Sequence, residues 1–127
     1  MLQIFRQLFN WIWPQILQYQ LGKFVEYWNN HKIRYQSTKP NMSGQTPQHA
    51  FTVPKPPVEE CRIAVPQEAI DALRNTIPVS RDDAMRWVDP SFEQAAKEAY
   101  ITIGSPSLHN MRTGWSIFSA MAAVINL

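Results

Sequence analysis

The first thirty residues constrain this chain more than anything after them. They hold 17 apolar side chains, including three of the five tryptophans, and residues 1–25 contain no Asp or Glu. Phe5, Leu8, Phe9, Ile12 and Ile16 recur at i, i+3, i+4 spacing, which marks one face of a helix. That spacing predicts a helix over 2–12. Pro14 has no N–H to donate and is tolerated in the first turn of a helix, so it predicts an interruption and a second helix over about 14–30. The apolar face of the second helix would be Leu17, Leu21, Phe24, Val25 and Trp28. Trp11 and Trp13 fall off the main stripe, and a helix that is apolar on several sides needs cover on several sides. No run elsewhere reads as a strand, and the chain opens inside an apolar pattern. The expectation is therefore that the covering surface belongs to a larger protein or to another subunit.

The remainder reads as a loop, a linker and short helices. Residues 31–50 are polar and turn-rich, with Pro40, Gly44 and Pro47. Residues 52–66 hold Pro54, Pro56, Pro57 and Pro66, which favour extended backbone and a linker. Pro66 opens a predicted helix at 67–76 with Ala69, Ile70 and Leu73 facing inward. Ser80, with Asp83 three residues on, signals a capped helix start. Asp89-Pro90 signals the start of a helix to about 103, closed by Gly104, with Phe92, Ala95, Ala96, Ala99, Tyr100 and Ile103 as its stripe. Thr113 is the expected cap of a last helix presenting Trp115, Phe118, Ala122 and Ile125. The implied division is 1–51, 52–66 and 67–127, in a mainly α chain.

Charge and cysteine content narrow the function classes. The net charge is +2, but residues 1–55 carry six basic residues against one acid, while residues 56–127 carry six against nine. A basic N-terminal half fits phosphate or an acidic partner. The single cysteine, Cys61, excludes an internal disulfide and with it a disulfide-stapled scaffold. Gln and Asn interrupt Met1–Leu21 too often for a signal peptide or a membrane span. A membrane role is disfavoured, and the expected location is intracellular, nuclear or cytoplasmic. His31, His49, His109 and Cys61 lack metal-ligand spacing, so no metal or cofactor is expected.

The stretch richest in information is Phe24-Val-Glu-Tyr-Trp-Asn-Asn-His-Lys-Ile-Arg34, followed by Ser43-Gly-Gln-Thr-Pro-Gln-His-Ala-Phe51. An aromatic at a helix end anchors the last turn, and Asn29 or Asn30 can bond the freed carbonyls or adopt a left-handed cap. Lys32, Arg34 and Lys39 then project from a loop, where long cations reach phosphates. This arrangement resembles the end of the catalytic core of integrases and related transposases, in particular integrase-core-like proteins of the fungal and animal type. The elements of the resemblance are the aromatic-Asn pair Trp28-Asn29, the basic segment with Lys32 and Arg34, the turn Gly44-Gln45-Thr46-Pro47, and the aromatic Phe51. Lys32 stands where that family more often has arginine, and Arg34 where it more often has histidine. Gly104-Ser105-Pro106 and Gly114-Trp115 are similar to elements of a helical extension found in such proteins.

The resemblance implies an incomplete, C-terminal part of a ribonuclease-H-like integrase core, made of two helices and a loop, with a small helical extension. It implies DNA as a partner, through Asn29, Lys32, Arg34 and Lys39. That family's chemistry uses two aspartates and a glutamate to hold two divalent metals. None of the three maps here, since residues 1–25 have no carboxylate and Glu26 falls after the position of the catalytic glutamate. Glu59-Glu60 and Asp82-Asp83 are adjacent pairs, which do not face one site on a helix. The expectation is a non-catalytic, mobile-element-derived chain with nucleic-acid affinity. The other reading is a helical protein-interaction module that self-associates or binds a partner protein through its apolar N-terminal helices.

Overall fold

The computed structural model describes residues 2–38, 43–54, 56 and 62–125. Among the described residues six helices follow one another: α1 (Leu2–Asn30), α2 (Pro47–Thr52), α3 (Gln67–Asn75), α4 (Arg81–Ala84), α5 (Pro90–Thr102) and α6 (Met111–Ile125). There is no strand among the described residues. The chain forms two compact units, Met1–Leu21 with Val79–Leu127, and Gly22–Pro78. Residues 1–21 thus group with the C-terminal half, which the division at 51 and 66 did not anticipate.

The expected break at Pro14 is absent: α1 is one helix of 29 residues with Pro14 inside it. Proline removes one backbone bond and crowds the preceding turn. The carbonyl left without its helical donor is that of Asn10, one residue before the Trp11 carbonyl to which Gln15 Nε2 donates at 2.7 Å. Ile12 and Ile16, on either side of Pro14, are both fully buried, so packing favours the continuous helix.

The first unit has a real core. Leu8, Ile12, Ile16, Ala96, Ala99, Leu108, Ile117, Met121 and Ala122 are buried together. Each large side chain among them contributes about 1.5–3 kcal/mol by leaving water. The off-stripe tryptophans find their cover here. The Trp11 ring lies 5.5 Å from Tyr100, and Trp13 lies 4.6 Å from Phe9 and 4.4 Å from Trp115. The expectation that α1 needs another chain for cover is corrected for residues 8–16: α5 and α6 supply it. Gly114 lets α6 approach α1, since a Cβ there would sit 2.9 Å from Cδ1 of Ile16.

Local signals set most boundaries. The Ser80 hydroxyl accepts from the Asp83 N–H at 3.1 Å and opens α4. Asp89-Pro90 opens α5, but the Asp89 carboxylate does not cap it; it is held by Gln7 Nε2 at 2.7 Å. Gly104, at φ 90°, closes α5 with Ser105, whose N–H donates to the Tyr100 carbonyl at 2.9 Å. This is the double left-handed ending that glycine makes accessible. The last helix starts before Thr113: Asn110 Oδ1 accepts the Arg112 N–H at 2.8 Å and caps α6. Within the α5 and α6 stripes, Ala95 and Trp115 are exposed.

The second unit is different in kind. Among its described residues none is buried. The predicted inward residues of α3 do not face inward: Ala69 and Leu73 are exposed and Ile70 is half-buried. Periodicity gave α3 an apolar face, but among the described residues no element packs on it.

Candidate nucleic-acid interface

The aromatic-Asn pair, the basic segment, the Gly-x-Thr-Pro turn and Phe51 all fall in the second unit, around the end of α1 and the loop after it, whereas Gly104-Ser105-Pro106 and Gly114-Trp115 fall in the first. The α1 terminus is closed by side chains. Asn30 Nδ2 donates to the Glu26 carbonyl at 2.9 Å, and His31 Nδ1 meets the Trp28 carbonyl at 2.6 Å. A carbonyl only accepts, so Nδ1 is the donor in this bond. Asn29 is half-buried, and neither Asn29 nor Asn30 takes the left-handed conformation. Trp28 does not anchor the turn in a core. It is 50% exposed, 6.2 Å from the Phe24 ring and 4.6 Å from the His31 ring.

The loop is tied at its base by a single residue. The Ile33 N–H donates to the Gln45 carbonyl at 2.8 Å, and the Ile33 carbonyl accepts the Gly44 N–H at 3.0 Å. Gly44 has φ 73°, a left-handed value that a side chain disfavours. Further along, the Ser43 hydroxyl bonds both the N–H and the carbonyl of Gln36. Ile33 is half-buried, while Lys32 and Arg34 on either side of it are exposed. Arg34, Tyr35, Gln36, Ser37 and Thr38 line a shallow concavity. The tie therefore brings Lys32 and Arg34 to one short exposed segment; Lys39 lies outside the described residues.

After the loop, Thr46 Oγ1 accepts the His49 N–H at 3.1 Å, and Pro47 occupies the first turn of α2. The Gly-x-Thr-Pro turn is thus also a helix start, a cap-plus-proline signal that the turn reading passed over. Phe51, on α2, is exposed. Glu26 lies on the same continuous helix as residues 2–12, and its carboxylate pairs with Lys23 Nζ at 3.0 Å.

Two features had no counterpart in the sequence reading. The His109 ring stacks on Tyr19 at 3.8 Å and 10°, while the His109 carbonyl accepts from the Gln20 amide. In the first unit, Trp11, Pro14, Met85, Trp87, Glu93 and Lys97 line a groove of about 770 Å³. Met85 and Trp87 had no periodic pattern to place them. Among the described residues no three His, Cys, Asp or Glu side chains lie where they could hold a metal ion, and no helix is long and apolar enough to cross a membrane.

No protein-family model, curated protein or solved structure matches this chain.

Proposed function

We propose that this chain is a non-catalytic, mobile-element-derived relative of the integrase core, corresponding to its C-terminal part, and that the segment around Lys32 and Arg34 contacts nucleic acid. The observation that carries the reading is the tied loop. Ile33 spends its backbone groups on Gly44 and Gln45, and the two cations beside it stand exposed. Residues 22–55 carry five basic residues and one acid, Glu26, which Lys23 already pairs. Phosphate contact is the chemistry such a segment favours, and its mark is salt dependence. Lys39 and Asn29 are assigned to the same role on the resemblance alone. The absence of the family's carboxylates from residues 1–25 supports a binding role without strand transfer.

The test is fluorescence anisotropy with labelled DNA, single-stranded and duplex, over a range of salt. Binding should weaken as salt rises, and Lys32→Ala with Arg34→Ala should weaken it further. Salt-insensitive binding, or none at low salt, counts against the reading.

One observation favours a second reading, a protein-interaction module. Phe24, Val25 and Trp28 on α1 and Leu73 on α3 are at least half exposed. Sedimentation across a wide concentration range decides it, because a clean monomer removes self-association.

A further inference from the structure

The second unit exposes aromatic rings that no core claims. Tyr27 is 67% exposed, Trp28 50% and Tyr35 72%, and no described residue of the unit is buried. The rings are not scattered. Tyr27 stacks on His31 at 5.7 Å and 17°, and Trp28 lies 4.6 Å from the same ring. Among the next residues Lys32, Arg34 and Tyr35 are exposed, and Ile33 is half-buried in the tie. Cations and π-faces thus interleave over nine consecutive residues, Tyr27 to Tyr35.

We propose that the segment Tyr27–Tyr35 takes single-stranded nucleic acid in preference to duplex, with bases stacked on the exposed rings and phosphates held by Lys32 and Arg34. The proposal rests on the nucleic-acid reading above and adds the class of strand. Only an unpaired strand offers its base faces, since in a duplex each face is covered by its neighbours. Reading a duplex calls for an element that enters a groove. The helices of this unit do not suit that task. The last turns of α1 carry only Lys23 and Glu26, paired with each other, and α2 has six residues. On α3, Glu68 and Asp71 would oppose phosphate, and Arg74 is drawn to Asp71 at 3.8 Å. Charge complementarity therefore falls on the loop, beside the rings.

The experiment uses the full chain and three labelled probes of equal length, oligothymidine, oligouridine and a duplex, at low salt. Either single strand should bind about tenfold or more tightly than the duplex. Tyr35→Ala should weaken single-strand binding by about fivefold or more, while Tyr35→Phe keeps the ring and the affinity. Lys32→Ala and Arg34→Ala should each lower the salt slope by about 0.7. Tyr35 is exposed, so circular dichroism of its variants should match the parent. Duplex binding as tight as single-strand binding, or a Tyr35→Ala protein that binds like the parent, overturns the single-strand assignment and leaves the phosphate contact standing. No binding to any of the three probes overturns both.

Discussion

Gln7 and Asp89 exchange two hydrogen bonds across 82 positions of sequence. Gln7 Nε2 donates to Asp89 Oδ2 at 2.7 Å, and Gln7 Oε1 accepts the Asp89 N–H at 3.0 Å. One amide thus occupies the side chain that would otherwise cap α5, and joins the start of α5 to α1. Gln7→Ala removes both bonds and should cost about 1 kcal/mol. Asp89→Asn keeps an acceptor and the backbone donor and should cost less. Thermal unfolding by circular dichroism checks this, and equal melting temperatures for Gln7→Ala and the parent would refute the link.

Gly114 makes a sharper case, because two effects oppose each other. Alanine favours a helix over glycine by about 1 kcal/mol. Its Cβ, however, would lie 2.9 Å from Ile16 Cδ1 and 3.4 Å from the Trp13 ring. Ile16 is fully buried, so its methyl has little room to retreat, and overpacking costs about 1–3 kcal/mol. Gly114→Ala should therefore destabilise. Ile16→Val removes the offending methyl, so the double variant should be more stable than the sum of the singles predicts. Strict additivity in denaturant melts would sink the steric account.

Truncations should separate the two units. Leu8→Ala, Ile12→Ala or Met121→Ala each empties a fully buried position and should cost about 2–5 kcal/mol. Phe24→Ala or Leu73→Ala acts on residues more than half exposed and should stay within about 0.5 kcal/mol. If the second pair destabilised as much as the first, Gly22–Pro78 would have to be buried in solution by something, such as a second copy.

Acid should act through Glu93. The hydrogen bond from Lys97, at 2.8 Å, and the Lys97 charge hold its carboxyl below the ordinary glutamate range; desolvation opposes them, and Arg86 adds a smaller downward pull. A carboxyl with a depressed folded-state pKa stabilises the fold above its unfolded pKa, and the contribution is lost as pH falls through the folded value. Glu93→Gln should therefore lower stability slightly in the neutral region, flatten the acid limb of the profile, and converge with the parent once the Glu93 carboxyl is protonated. Coincident profiles for the variant and the parent would rule this out.

Helix punctuation was legible because it is local. Ser80 with Asp83, Pro90 and Gly104 each act within a turn of themselves, and each marks an observed boundary. Pro14 misled, because its effect is outweighed by the burial of Ile12 and Ile16 on either side. The cover for Trp11 and Trp13 was invisible for another reason: Tyr100 and Trp115 lie far along the chain, and periodicity names a face without naming what lies against it. The same gap explains Leu73, which has the right spacing and is exposed. At the candidate site, Lys32 and Arg34 were legible as loop cations, but the tie through Ile33 that presents them depends on backbone bonds that side-chain spacing does not encode.

That tie sets what the loop can tolerate. Because Ile33 gives its N–H to Gln45 and accepts from the Gly44 N–H, the place of Lys32 and Arg34 is fixed by main-chain bonds that any side chain at position 33 but proline's would keep. Substitution at 32 or 34 therefore changes the charge that is presented and leaves the scaffold that presents it.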